Sequence, residues 1–93
     1  MIKTFEQYKD KKYVITTILF NVLHVLAYFP NKNEKFISWK PVNNLGQNII
    51  ELYTYNDAIL ECELMLKAYP NSIHDIITLE ELEVKMNANK YNI

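Results

Sequence analysis

Few side chains here are suited to covalent or acid–base chemistry: Cys62, His24, His74 and the acids near them. Cys62 would be a nucleophile if a histidine lay close enough to take its proton. Its helically spaced neighbours Ala58, Ile59, Met65, Leu66 and Tyr69 are apolar. That places Cys62 on an apolar helix face, as a small buried hydrophobe. His74-Asp75 suggests a base beside its orienting acid, but neighbours in a helix point in different directions. The expected positions are surface ones in a first helical turn, where the dipole favours Asp75. Glu80, Glu81 and Glu83 suggest paired carboxylates, yet a helix start also collects acids. His24 shares a helical stripe with Thr17, Asn21 and Tyr28, either as a pH-sensitive contact or on the solvated side of an apolar helix. A metal site needs three or four clustered ligands, which two histidines and one cysteine at distant positions do not supply. A triad, a phosphate loop and a dinucleotide fingerprint are absent from the sequence, and Gly46 is its single glycine. The expectation is a protein without enzymatic activity, metal or cofactor.

The bulk composition narrows the class. Ninety-three residues predict one domain, 1–93, with 49% hydrophobic content sufficient for a modest core. Ten basic residues, all lysine, oppose eleven acids. The missing basic face and missing arginines argue against nucleic acid. A lone cysteine permits no internal disulfide and suits a reducing compartment, so a cytoplasmic location is expected. Ile, Asn, Lys, Tyr and Phe are abundant while Gly, Ala and Pro are scarce, the bias of an AT-rich gene such as one from a mobile element. Tyr13 to Phe29 carries no formal charge. A spanning helix needs about 20 apolar residues, so this run reads as a buried core helix, with a single-span peptide as the weaker alternative.

The elements that would position these groups follow from periodicity. Phe5, Tyr8, Ile15, Leu19, Val22, Leu26 and Phe29 recur at three- and four-residue steps interrupted only by Lys12, predicting a helix capped by Thr4 and ended by Pro30. Val14 to Ile18 are all β-branched, so a strand near 13–20 competes. Over 36–55 two readings stand. In one, Phe36–Val42 and Gln47–Tyr55 are strands joined at Asn43-Asn44-Leu45-Gly46. In the other, Ser38 caps a helix with Pro41 in its first turn. A firmer helix starts at Asn56 and stops at Pro70. The last helix is capped by Ser72, or by Thr78 with Glu81 completing a capping box, and 87–93 is expected to fray.

An offset of 34 aligns Thr4, Ser38 and Ser72, then Phe5, Trp39 and Ile73, then Tyr8, Val42 and Ile76. In the middle unit, Leu45, Gly46, Ala58 and Pro70 fall at the spacing of a helix–turn–helix repeat. The 38–71 segment resembles a tetratricopeptide repeat, with degenerate units on either side. Cys62, Met65 and Tyr53 depart from the pattern. The resemblance implies an all-α antiparallel helical array that binds an extended peptide. Its concave face would carry Lys40, Asn43, Asn44, Gln47, Ile50 and Glu51, with Trp39 beside them. The alternative fold is α+β with a hairpin of strands at 36–55. The functional expectation is a small protein-interaction module: an adaptor, an immunity protein or an inhibitor of a host or defence factor. A protein partner is expected, with self-association as a further route to completing the core. The second functional reading is an α+β inhibitor or small-ligand-binding protein.

Overall fold

The computed structural model, which describes residues 11–31 and 33–91, is α+β. Its elements are β1 (Tyr13–Leu19), β2 (Val22–Tyr28), β3 (Ile37–Pro41), β4 (Ile49–Ile50), α1 (Tyr55–Ala68), β5 (Asp75–Thr78) and α2 (Leu79–Tyr91). This overturns the all-α, tetratricopeptide-like expectation: the described part of the first predicted helix and the 38–52 helical reading both form strands and turns instead. The α+β alternative is the class observed. The proposed first cap, Thr4, lies outside the described residues.

From Tyr13 to Tyr28, the run read as the first helix is a β-hairpin. Thr16 pairs with Val25 and Leu19 with Val22. Phe20 (φ 53°) and Asn21 (φ 63°) are the two central turn residues, both left-handed. Two consecutive positive φ values make a type I′ turn, whose twist matches that of the flanking strands. Asn suits this region; a bulky aromatic does not.

The sheet order is β3-β2-β1-β5, all pairs antiparallel. β4 pairs with β2 at Ala27 and Tyr28, residues that also pair with β3. The β1–β2 ladder stops at Thr16 and Val25, so β4 occupies the side of β2 that β1 has left. Tyr53 then bridges to Tyr13, exchanging bonds of 3.0 and 2.8 Å. Strands therefore form in the 36–55 region, but β3 and β4 make no hairpin with each other. Each pairs with β2 instead.

Backbone alternation explains Pro41. The Val42 N–H donates to the Leu23 carbonyl at 3.0 Å. Residues 38, 40 and 42 thus face β2, whereas 37, 39 and 41 face outward. A proline at 41 removes no bond from the ladder, as befits an edge strand.

Both sheet faces are covered. On one, Ala58 of α1 packs against Ile15 and Leu26, joined by Trp39, Tyr53, Cys62, Met65 and Ile76. On the other, Leu82 of α2 packs against Val14, Val25, Val42 and Ile77, joined by Met86. Val14, Ile15, Thr16 and Thr17 are consecutive and all buried, because β1 lies between two helices. Such a strand shows no alternation of polar and apolar residues. Thr17 stays satisfied by donating to the Ile73 carbonyl at 2.6 Å.

Local chemistry sets the element ends. Thr54, not Asn56, caps α1 by accepting from the Asp57 N–H at 3.1 Å. The Thr78–Glu81 capping box forms as expected: Thr78 Oγ1 accepts from the Glu81 N–H at 3.1 Å and Glu81 Oε1 from the Thr78 N–H at 3.2 Å. Ser72 caps no helix and donates to the Tyr69 carbonyl. α2 continues to Tyr91, past the expected fraying point at 87. Gly46 (φ 59°) serves no close helix approach, since a Cβ there would meet nothing within 4 Å. It supplies a left-handed turn residue between the Leu45 carbonyl and the Asn48 N–H, bonded at 2.9 Å.

Burial on the second face gives a direct test. Leu82→Ala is expected to cost about 3 kcal/mol by cavity formation, whereas Val84→Ala, on the exposed side of α2, should change stability by less than about 0.5 kcal/mol. Urea unfolding of both variants measures the difference. Equal effects would contradict the packing of α2 against the sheet.

Candidate functional site

The residues with chemical potential do not assemble into a reacting group. Cys62 is half-buried in the α1-side core. Burial and then the Glu61 carboxylate hold its thiol above the ordinary value, which suppresses the thiolate. Among the described residues no hydrogen bond joins Cys62 to either histidine, and no three His, Cys, Asp or Glu side chains cluster as metal ligands. His24 sits on β2, its Nδ1 2.9 Å from the Val22 carbonyl, opposite Thr17 and Pro41. Glu80 and Glu81 lie in the first turn of α2, and Glu81 is engaged in the cap. Tyr53 is pushed above the ordinary tyrosine range, first by burial and then by Glu61 and Glu51, so it remains a neutral phenol.

His74 and Asp75 are not in a helix. Asp75 begins β5, opposite Thr16, and His74 precedes it. The His74 ring stacks on Trp39, with centroids 5.6 Å apart and planes 9° from parallel. Trp39 and β5 lie on opposite sides of the β1–β2 pair, so this stack reaches across that pair.

The peptide-binding set loses the helix that grouped it. Trp39 and Lys40 are adjacent on β3 and point to opposite faces of the sheet. Asn43, Asn44 and Gln47 are exposed in the turns that follow. Ile50 packs against the α2-side core. Glu51 pairs with Lys35 at 2.6 Å, and the Lys35 ammonium also lies 4.5 Å from the centre of the Tyr28 ring.

The feature that sequence reasoning missed is the hairpin tip. Phe20 is 96% exposed, and Ile18, Leu19 and Ile73 are exposed near it. A cleft of about 620 Å³ runs alongside, lined by Ile18, Leu19, Leu23, Ile73, His74 and Lys85 among others. An aromatic in the left-handed region, almost wholly in water, is unfavourable twice over: backbone strain of about 1–2 kcal/mol and an unburied apolar ring. The signal available in the sequence was Phe20-Asn21 within an uncharged run. Asn21 alone of the pair is a turn-former, so the reversal was hidden.

The Trp39–His74 stack supplies a built-in probe, because Trp39 is the only tryptophan. Burial lowers the His74 pKa from the ordinary 6.5. The neutral ring is the folded form, so its contribution to stability is complete above pH 6.5 and is lost as pH falls through the lower folded value. Trp39 emission is expected to titrate with a midpoint below 6.5, and His74→Gln should remove the transition. A midpoint above 6.5 would contradict the desolvated setting.

Compared with known protein families, curated proteins and solved structures, the chain matches none.

Proposed function

We propose that this protein is a non-enzymatic protein-interaction domain that docks through its β1–β2 hairpin tip. Phe20 is the anchor residue, with Ile18, Leu19 and Ile73 around it and the adjoining cleft receiving the partner's edge. The observation that carries this reading is the exposure of Phe20 in a strained turn position. Exposed aromatics on rigid elements are typical binding anchors, because they bring large apolar area at little cost in side-chain entropy. The hairpin is rigid at its base: the β1–β2 ladder continues directly into β1's buried segment. A partner with a deep apolar pocket fits this tip. Such a domain acts by occupancy, as an adaptor, an immunity protein or an inhibitor, and its lone half-buried thiol suits the reducing cytoplasm.

Phe20→Asn separates stability from function. Asn is favoured at this turn position, so the variant should be more stable by about 1 kcal/mol. Loss of an anchor side chain costs about 2 kcal/mol or more in binding, a drop of roughly thirtyfold. A photo-crosslinking residue at position 20 should capture a defined protein in the expressing cell. The same residue at position 84, exposed on α2, should not. A Phe20→Asn variant that retains all its cellular partners would sink this assignment, as would capture of lipid alone at position 20.

A further inference from the structure

We propose that the chain self-associates through the outer edge of β3, forming a two-fold symmetric dimer with one continuous sheet. β3 is the terminal strand on its side, and among the described residues nothing pairs with its outer edge. Ile37 and Trp39 direct their N–H and C=O groups outward, by the same alternation that turns 38, 40 and 42 toward β2. This leaves two donors and two acceptors. The next outward residue, Pro41, has no N–H, and its carbonyl already accepts from the Asn44 N–H at 3.1 Å.

These four groups are self-complementary in one register. With the two-fold axis at Ser38, Ile37 of each copy faces Trp39 of the other. Each such pair exchanges two hydrogen bonds, so four bonds use every outward group of both edges. An axis at Trp39 would set Ile37 against Pro41, which has no donor and an engaged acceptor. An axis at Ile37 would set Trp39 against Lys35, outside β3.

The side chains agree with the Ser38 register. Ile37, 41% exposed, is brought beside the Trp39 backbone of the other copy, while the Trp39 ring stays turned inward against His74 and takes no part in the contact. Phe36, 73% exposed, falls opposite Lys40, whose ammonium can lie over the ring. No like charges meet directly. Ser38 meets Ser38 at a non-hydrogen-bonded position, where the chains are closest. On the α1 face, Leu60 and Leu64 are exposed and share a groove with Ile37. Continuing the sheet brings the second copy against them.

Sedimentation equilibrium of the full chain across about 1 to 200 µM tests this. The expected species has twice the 11.1 kDa chain mass. Ile37→Pro removes an outward donor while leaving the β2–β3 ladder intact, and should weaken association by about tenfold or more. Ser38→Lys places two like charges on the axis and serves if the proline variant does not fold. In a Cys62→Ala background, Ser38→Cys should form a disulfide-linked dimer on mild oxidation, and Asn43→Cys should not. A wild-type chain that is monomeric throughout the range overturns the proposal. So does a dimer that neither Ile37→Pro nor Ser38→Lys weakens and Ser38→Cys does not cross-link. A chain lacking residues 1–10 that dimerises where the full chain does not would assign the edge to the chain's own N-terminal segment, and would equally overturn it.

Discussion

The fold depends on β1 being covered on both faces. Val14 and Ile15 are fully buried although adjacent in a strand point to opposite sides. Each therefore requires its own layer. Ala58 of α1 lies over Ile15, and Leu82 of α2 lies over Val14. The chain order follows from that need. α1 closes one face, β5 returns along β1, and α2 starts one residue later to close the other. The Leu79 N–H donates to the Lys12 carbonyl at 2.8 Å, extending the β1–β5 ladder into the first residue of α2. In a chain this short, two thin cores on the two faces of one sheet replace a single thick one.

The same constraint made the fold hard to read from sequence. A strand buried on both sides has no period of two, so Tyr13 to Phe29 offered only length and hydrophobicity. Its apolar spacing happens to satisfy a helical pattern across a hairpin whose turn contains neither glycine nor proline. The β-branched run Val14–Ile18 was the correct local signal, outweighed by a longer false one. The 34-residue offset had a similar origin. Of its matching cap residues, Ser38 lies inside β3 and Ser72 caps no helix, and Gly46 marks a turn without a close contact. What was legible depended on local physics. The α1 span, the stop at Pro70 and the Thr78–Glu81 box all follow from capping and backbone rules that tertiary structure seldom overrides. The candidate binding residues were not legible as a site, because their grouping required a helix. On a strand, Trp39 and Lys40 part to opposite faces.

Where this chain breaks local rules, the departures fall on its surface and away from its core. The core is conventional: aliphatic residues, a satisfied threonine and a thiol kept protonated by burial. The violations are Phe20 in a left-handed turn and the leucines on the outer side of α1. Stability alone disfavours both. A better turn residue or a polar helix surface would cost the fold nothing. Sites where local preference and observed residue disagree, with no compensation inside the molecule, are where a function outside it is expected to act.

Edge chemistry extends this reasoning to the sheet itself. β3 carries two common defences against strand addition, a lysine and a proline. Their placement makes the defence partial. Pro41 blocks the far end of the edge, while Lys40 turns its backbone inward and leaves the outward groups of Ile37 and Trp39 unhindered. An edge closed at one end admits only a few registers, and a symmetric pairing that saturates it must be centred on Ser38. The proline that first reads as a strand breaker thereby becomes the element that limits how a second strand can add.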